Sequence, residues 1–175
     1  MTVELQHVRA RVTLPASIVA YSIGDHVSNS ATVAGSDWLS FPIPRGVRAF
    51  AARKLTAVKS TTVVTNAQFR LHLLSALPTA RIADDAVLSA MRLDSKEHYL
   101  GYFDFTFSPT LGDFAMIDAA PAVGERVLLI PDDNSTWEDE IRYCYGVFEA
   151  KAAYTRAASD IFDFALTGDG EVEEA

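Results

Sequence analysis

Apolar residues recur at a spacing of two in three separate stretches of this chain. Phe69, Leu71 and Leu73 alternate with Gln68, Arg70 and His72. Phe103, Phe105 and Phe107 alternate with Asp104 and Thr106, and Phe162, Phe164 and Leu166 alternate with Asp163 and Ala165. Successive side chains leave a strand on opposite sides, so a period of two marks a strand with one face in a core and the other toward water. Sets this rich in phenylalanine would fill much of a sandwich interior.

Other stretches are punctuated in the same manner. Residues 18–28 read as a β-segment bent at Gly24-Asp25, and 38–41 as a short strand that ends at Pro42-Ile43-Pro44. Two prolines remove two backbone donors, so this stretch is an edge or a loop. Residues 47–60 read as a strand with Lys54, Thr56 and Lys59 on a wetted side, and 61–66 as a turn. Asp84-Asp85 is placed to cap a single helical turn, with Val87, Leu88 and Met91 sharing its face. Residues 114–117 continue in β, and 127–130 form a compact apolar run suited to a strand covered on both sides.

Residues 135–151 carry two patterns. Ser135 and Glu138 have the form of a capping box, and Trp137, Ile141, Tyr145 and Phe148 recur at helical spacing. Against that, 141–148 is dense in β-formers and contains Gly146, which weakens a helix by about 1 kcal/mol. The balance favours a strand from near Ile141, preceded by a polar loop or one helical turn.

Eight or more strands without βαβ alternation predict an all-β fold, an antiparallel β-sandwich of jelly-roll type with one or two short helical turns. Residues 1–17 form an N-terminal arm or edge strand, 18–167 one sandwich domain, and 168–175 an acidic tail with Asp169, Glu171, Glu173 and Glu174.

A chain of 175 residues, 49% hydrophobic and 22% charged, is long enough for one core without staples. Its net charge of -8 opposes a phosphate backbone, so nucleic acid is not an expected partner. Arg45, Arg48, Arg53, Lys54 and Lys59 are the local basic candidates, spread along a strand with few aromatics. No window approaches the roughly 18–20 apolar residues that span a bilayer, so a membrane is not expected either. The first residues lack the basic flank and apolar run of a secretory signal. The single cysteine, Cys144, rules out an intrachain disulfide and suits a reducing cytosol.

His7, His26, His72 and His98 show no metal-ligand spacing and read as surface or loop histidines. Cys144 reads as a small buried hydrophobe, with Arg142 on its strand face. Nucleophile-elbow and phosphate-loop motifs are missing. Asp132-Asp133-Asn134 offers oxygens to calcium without EF-hand spacing, and turn formation accounts for it as well. A glycosidase pair among the other carboxylates would meet in space and not in order. The expectation is a non-enzyme with no catalytic residue, cofactor or metal.

Five elements in order carry a resemblance. These are Tyr21-x-x-Gly24-Asp25-x-Val27, an aliphatic strand at 55–59, and the alternating strand from Phe69 that ends at Pro78. Asp84-Asp85-Ala86-Val87 follows, then Ala153-Tyr154-Thr155-Arg156-Ala157-Ala158-Ser159 ahead of a final strand and an acidic turn at Asp169. The series resembles small virion structural proteins of tailed bacteriophages and covers residues 18–107 and 150–169. Where relatives have a glycine-rich stretch before the aliphatic strand, this chain has Pro42-Ile43-Pro44-Arg45-Gly46.

The resemblance implies a decoration or cement protein on the outside of the capsid, made in the host cytoplasm. Its implied partners are the major capsid protein and further copies of itself. A fibre base, a tail component or a carbohydrate-binding sandwich are the alternatives. Candidate partner contacts are Val8, Val12 and Leu14 in the arm and Pro42, Ile43, Pro44 and Arg45 in the loop. The arm either adds as a strand to a neighbour's sheet edge or pairs within its own sandwich.

Overall fold

Two antiparallel sheets close on the phenylalanine sets. The computed structural model describes residues 2–17, 20–35, 37–78, 81–88, 97–108, 110–121, 127–129 and 142–172. Its strands are β1 (Thr2–Thr13), β2 (Ala20–Tyr21), β3 (Leu39–Ile43), β4 (Val47–Lys59), β5 (Gln68–Leu74) and β6 (Tyr99–Thr106). They continue as β7 (Thr110–Leu111), β8 (Phe114–Ala119), β9 (Val127–Leu129), β10 (Arg142–Ala150), β11 (Tyr154–Thr155) and β12 (Ile161–Val172). One sheet runs β1-β12-β4-β8-β7, with β9 also on β4, and the other runs β3-β10-β5-β6. β2 and β11 form a small ribbon.

The pairing pattern defines the architecture. With the ribbon and the short β7 set aside and β8 and β9 counted as one, first pairs with eighth (β1, β12) and second with seventh (β3, β10). Third pairs with sixth (β4, β8), and fourth with fifth (β5, β6). This nesting is one long hairpin wound into two sheets, the jelly-roll arrangement.

The alternating sets fill the space between the sheets. Phe69, Leu71, Leu73, Phe103, Phe105, Phe107, Phe162 and Phe164 are all buried. The Phe69 ring lies 4.9 Å from Phe148 and 5.4 Å from Phe162, so β5, β10 and β12 meet at one aromatic centre. Tilted and edge-on contacts of this kind suit the ring quadrupoles. Pro42 sits in β3, opposite Tyr143, at the edge of its sheet where a missing donor costs least.

Several expectations are corrected. Residues 168–172 are not a tail but the end of β12, paired with β4 and β1. Gly168 and Gly170 are buried there while Asp169 and Glu171 take the opposite face. A Cβ on Gly168 would lie 2.0 Å from the Ala51 carbonyl oxygen, so β4 approaches where only glycine fits. Lys59 is buried and not wetted. Among the described residues of 18–28, strand pairing is confined to Ala20–Tyr21 and to bridges at Asp25 and His26. Asp84 and Asp85 form a turn and a 3-10 turn starts only at Leu88, where that described stretch ends, while another 3-10 turn occurs at Val33–Gly35. β10 begins at Arg142, and 135–141 and Met91 lie outside the described residues. Among the described residues no helix is long and apolar enough to cross a membrane.

Candidate functional site

The expected partner contacts divide in two. Val8, Val12 and Leu14 are buried in the chain's own core, because β1 pairs along its whole length with β12 and turns these residues inward. Ile43 is buried as well. The side chains of these four are therefore not accessible to a partner in this fold. Pro42 and Arg45 are exposed and Pro44 is half-buried, so the loop before β4 keeps an accessible surface.

The motif residues are positioned by a buried polar network. Tyr21 donates its hydroxyl to Asp84 Oδ1 at 2.8 Å, and the Ser28 N–H donates to the same oxygen at 2.8 Å. Arg156 Nη2 lies 3.1 Å from Asp84 Oδ2 and 3.3 Å from Ser17 Oγ. Beside it, the Tyr154 ring lies parallel to Tyr21 at 6.3 Å, and its hydroxyl reaches Asp160 Oδ2 at 3.2 Å. Asp160 also binds Lys59 Nζ at 2.5 Å and accepts from Ser60 and Thr61. Burial raises the Asp84 carboxyl's pKa despite the Ser28, Tyr21 and Arg156 donors, and lowers the Lys59 ammonium's despite Asp160. Two ion pairs are thus held between the sheets and their closing loops. Buried pairs of this kind favour one arrangement of the chain more than they add stability.

Within that frame the Tyr21–Val27 turn is shaped residue by residue. Gly24 has φ +90, a conformation that side chains resist. Its N–H donates to the Ala150 carbonyl at 2.8 Å, and Asp25 accepts from the Ser22 N–H at 2.5 Å. His26 is buried against Trp38 with Nδ1 3.0 Å from the Ile82 carbonyl, which corrects the surface reading. Burial pushes its pKa down to about 4. Val27 closes the turn inside the core.

On the outer face of β10-β5-β6 this turn forms one wall of a hollow of about 460 Å³, lined by Gly24, Val87, Leu88, Arg70, His72, Tyr99 and Glu149. His72 bridges Glu149 (Nε2 to Oε2, 2.9 Å) and the Tyr99 hydroxyl (Nδ1, 3.1 Å). Arg70 makes a fork to Asp104 at 2.6 and 2.7 Å and stacks 3.9 Å over Tyr102. Burial raises the Glu149 carboxyl's pKa, but His72, Lys151 and Arg70 outweigh it and hold the group below its usual range. The Tyr99 hydroxyl is pushed up to about 12, chiefly by burial, so it serves as a hydrogen-bonding group and not a nucleophile. The grouping is missed from sequence because its members come from three strands. The alternation of Arg70 and His72 toward water is the one local signal.

His7 is exposed beside Thr167, and His98 lies near Ser75. Cys144 is buried, its thiol pushed up to about 12 by burial. Among the described residues no three His, Cys, Asp or Glu side chains gather as metal ligands. Asp132-Asp133-Asn134 lies outside them.

No family model matches this sequence, and no curated protein does. Similar solved structures include the 60-mer BFDV capsid protein, at 9% identity and TM-score 0.37 over 98% of this chain and 94% of that one. Desmodium yellow mottle tymovirus gives 14% identity and TM-score 0.29, covering 100% of this chain and 92% of that one. A family 11 carbohydrate-binding module of a cellulosomal cellulase of Clostridium thermocellum gives 11% and 0.32, covering 99% and 91%. Likeness this distant assigns neither a role nor a partner.

Proposed function

We propose that this chain is a non-enzymatic structural component of a tailed-phage virion. It binds the outside of the capsid as a decoration or cement protein, with the major capsid protein and further copies of itself as partners. One observation carries the reading. The stretches that hold the resemblance lie far apart in the chain, yet Tyr21, Asp84 and Arg156 meet in one buried network. The resemblance therefore falls on residues that act as one structural unit. Pro42 at the end of β3, and Pro44 and Arg45 in the loop after it, where this chain departs from the phage pattern, are the accessible candidates for shell contact. Stabilising a shell requires only tighter binding to the assembled lattice than to free subunits.

Purified protein added to particles that lack it should sediment with them, saturate at a fixed ratio to the shell subunit and raise the temperature at which the particles open. Failure to co-sediment at micromolar concentration ends the proposal.

A second reading draws on the hollow at Tyr99. A half-exposed tyrosine beside His72, Glu149 and Arg70 offers a sugar ring a stacking face and hydrogen-bonding groups together. Titration with a panel of cell-surface glycans tests it. Binding lost in Tyr99→Ala favours it, and no binding at millimolar sugar removes it.

A further inference from the structure

β1 is the outer strand of its sheet. β12 pairs with one of its edges, and among the described residues no strand takes the other. A free edge offers alternate N–H and C=O groups to any passing strand, and native proteins usually blunt it with proline, a bulge or short length. Of the devices that blunt an edge β1 carries charge alone, in Glu4, Arg9 and Arg11. It runs twelve residues without proline or glycine, and its register with β12 is unbroken from Thr2↔Val172 to Thr13↔Ile161. Its cations Arg9 and Arg11 stand in the second half, where Arg11 is occupied by Asp163.

The first half has little of its own sandwich to hold it. Thr2, Val3, Glu4 and Leu5 are exposed whichever face they take. Val3 and Leu5 are each 65% exposed and, two apart, share the outer face. Two neighbouring aliphatics on a strand edge that no described strand pairs with mark a surface that gains by being covered.

We propose that residues 2–8 of β1 pair antiparallel with the same residues of a second copy about a two-fold axis, making one continuous sheet across the dimer. A strand edge meets its own copy antiparallel under that symmetry, and each copy's outer face stays on the same side. Centring the pair on Leu5 sets Leu5 against Leu5, Val3 against His7, Glu4 against Gln6 and Thr2 against Val8. No like charges meet, and Arg9 and Arg11 fall outside the paired span. Centring on His7 would set Leu5 against Arg9 and Val3 against Arg11, which covers less apolar surface. The chain's net charge of -8 opposes self-association in general. Glu4 is the one acid in β1, and Glu171 and Asp169, opposite Val3 and Leu5 on β12, stand one strand farther from the two-fold axis.

The inference deepens the self-association part of the proposed function and is independent of the shell contact. Sedimentation equilibrium of the full chain should give a dimer at tens of micromolar. Val3→Lys with Leu5→Lys should weaken dimerisation at least tenfold while leaving circular dichroism and Tm unchanged, because both side chains are exposed. Should that double variant not fold, Leu5→Cys decides alone: mild oxidation should give inter-chain disulfide dimers, which the buried Cys144 of the unaltered chain does not. A wild-type monomer at these concentrations, a dimer indifferent to the lysines, or no cross-link at position 5 would overturn the proposal. Particle co-sedimentation, scored separately, keeps the two ideas apart. A monomer that still binds shells sinks the self-pairing alone, and a dimer that ignores shells sinks the shell contact alone.

Discussion

The Arg156 guanidinium lies 3.1 Å from the Asp84 carboxylate, with side chains 0% and 2% exposed. This contact ties the chain's end to its middle, and Tyr21 ties the start to the same carboxylate. Among the described residues Arg156 Nε and Nη1 find no hydrogen-bond partner.

The ion pair predicts an asymmetry between single and double substitutions. Arg156→Met should cost about 3–5 kcal/mol, because it strands a buried carboxylate. Asp84→Asn with Arg156→Met should recover much of that loss, since no charge is then left unpaired and the amide oxygen still accepts from Tyr21 and Ser28. Urea unfolding of the four species in a mutant cycle measures the coupling. Additive losses would contradict the account.

His26 predicts an acid-labile component of stability. Its folded pKa is about 4 against an ordinary 6.5, so the unfolded state takes up the proton first. The contribution is complete above pH 6.5, is lost progressively as pH falls toward 4, and amounts to about 3 kcal/mol by linkage. Subtracting the pH profile of His26→Asn from that of the parent isolates it. A difference that stays flat between pH 7 and 4 would refute the burial argument.

Phe105→Ala should destabilise the fold by about 3–5 kcal/mol, the range for truncating a packed aromatic. Phe105 stacks at 6.1 Å on Phe148 and meets Phe164 edge-on at 6.1 Å, so its loss opens the interior between the sheets. A midpoint shift in urea with little change in slope is the expected record.

The two buried glycines of β12 should respond differently to alanine. At Gly168 the new Cβ would meet the Ala51 backbone at 2.0 Å, and β4 must move. At Gly170 the first obstacle is Gln6 Cγ at 2.6 Å, part of a flexible and partly exposed side chain. Gly168→Ala should therefore cost about 2–3 kcal/mol or more and Gly170→Ala distinctly less, read from Tm. Equal losses would mean that the β4–β12 approach is looser than described.

Much of the fold was legible because a sandwich buries one face of each strand, and that imprint is local. Phe69, Phe103 and Phe162 announce their sets at a spacing of two, whatever the topology. Residues whose burial depends on distant partners were not legible. Asp84 reads as a helix cap until Arg156 and Tyr21 are placed beside it, and Lys59 reads as wetted until Asp160 is. Residues 168–172 look like a tail by composition, yet their acids face outward and their glycines sit where β4 leaves no room. At Val8, Val12 and Leu14 the alternation is visible, but alternation cannot say whose core it enters. The outer hollow at His72 was hidden for the same reason, being assembled from three strands and a turn.

The most direct measurement is quantitative mass spectrometry of purified virions, with the copy number of this chain taken relative to the main shell protein. The account predicts that it is present in a fixed ratio to the shell subunit, reproducible between preparations and removed when the outer surface is stripped. Absence from washed virions, or trace amounts that vary between preparations, would contradict it.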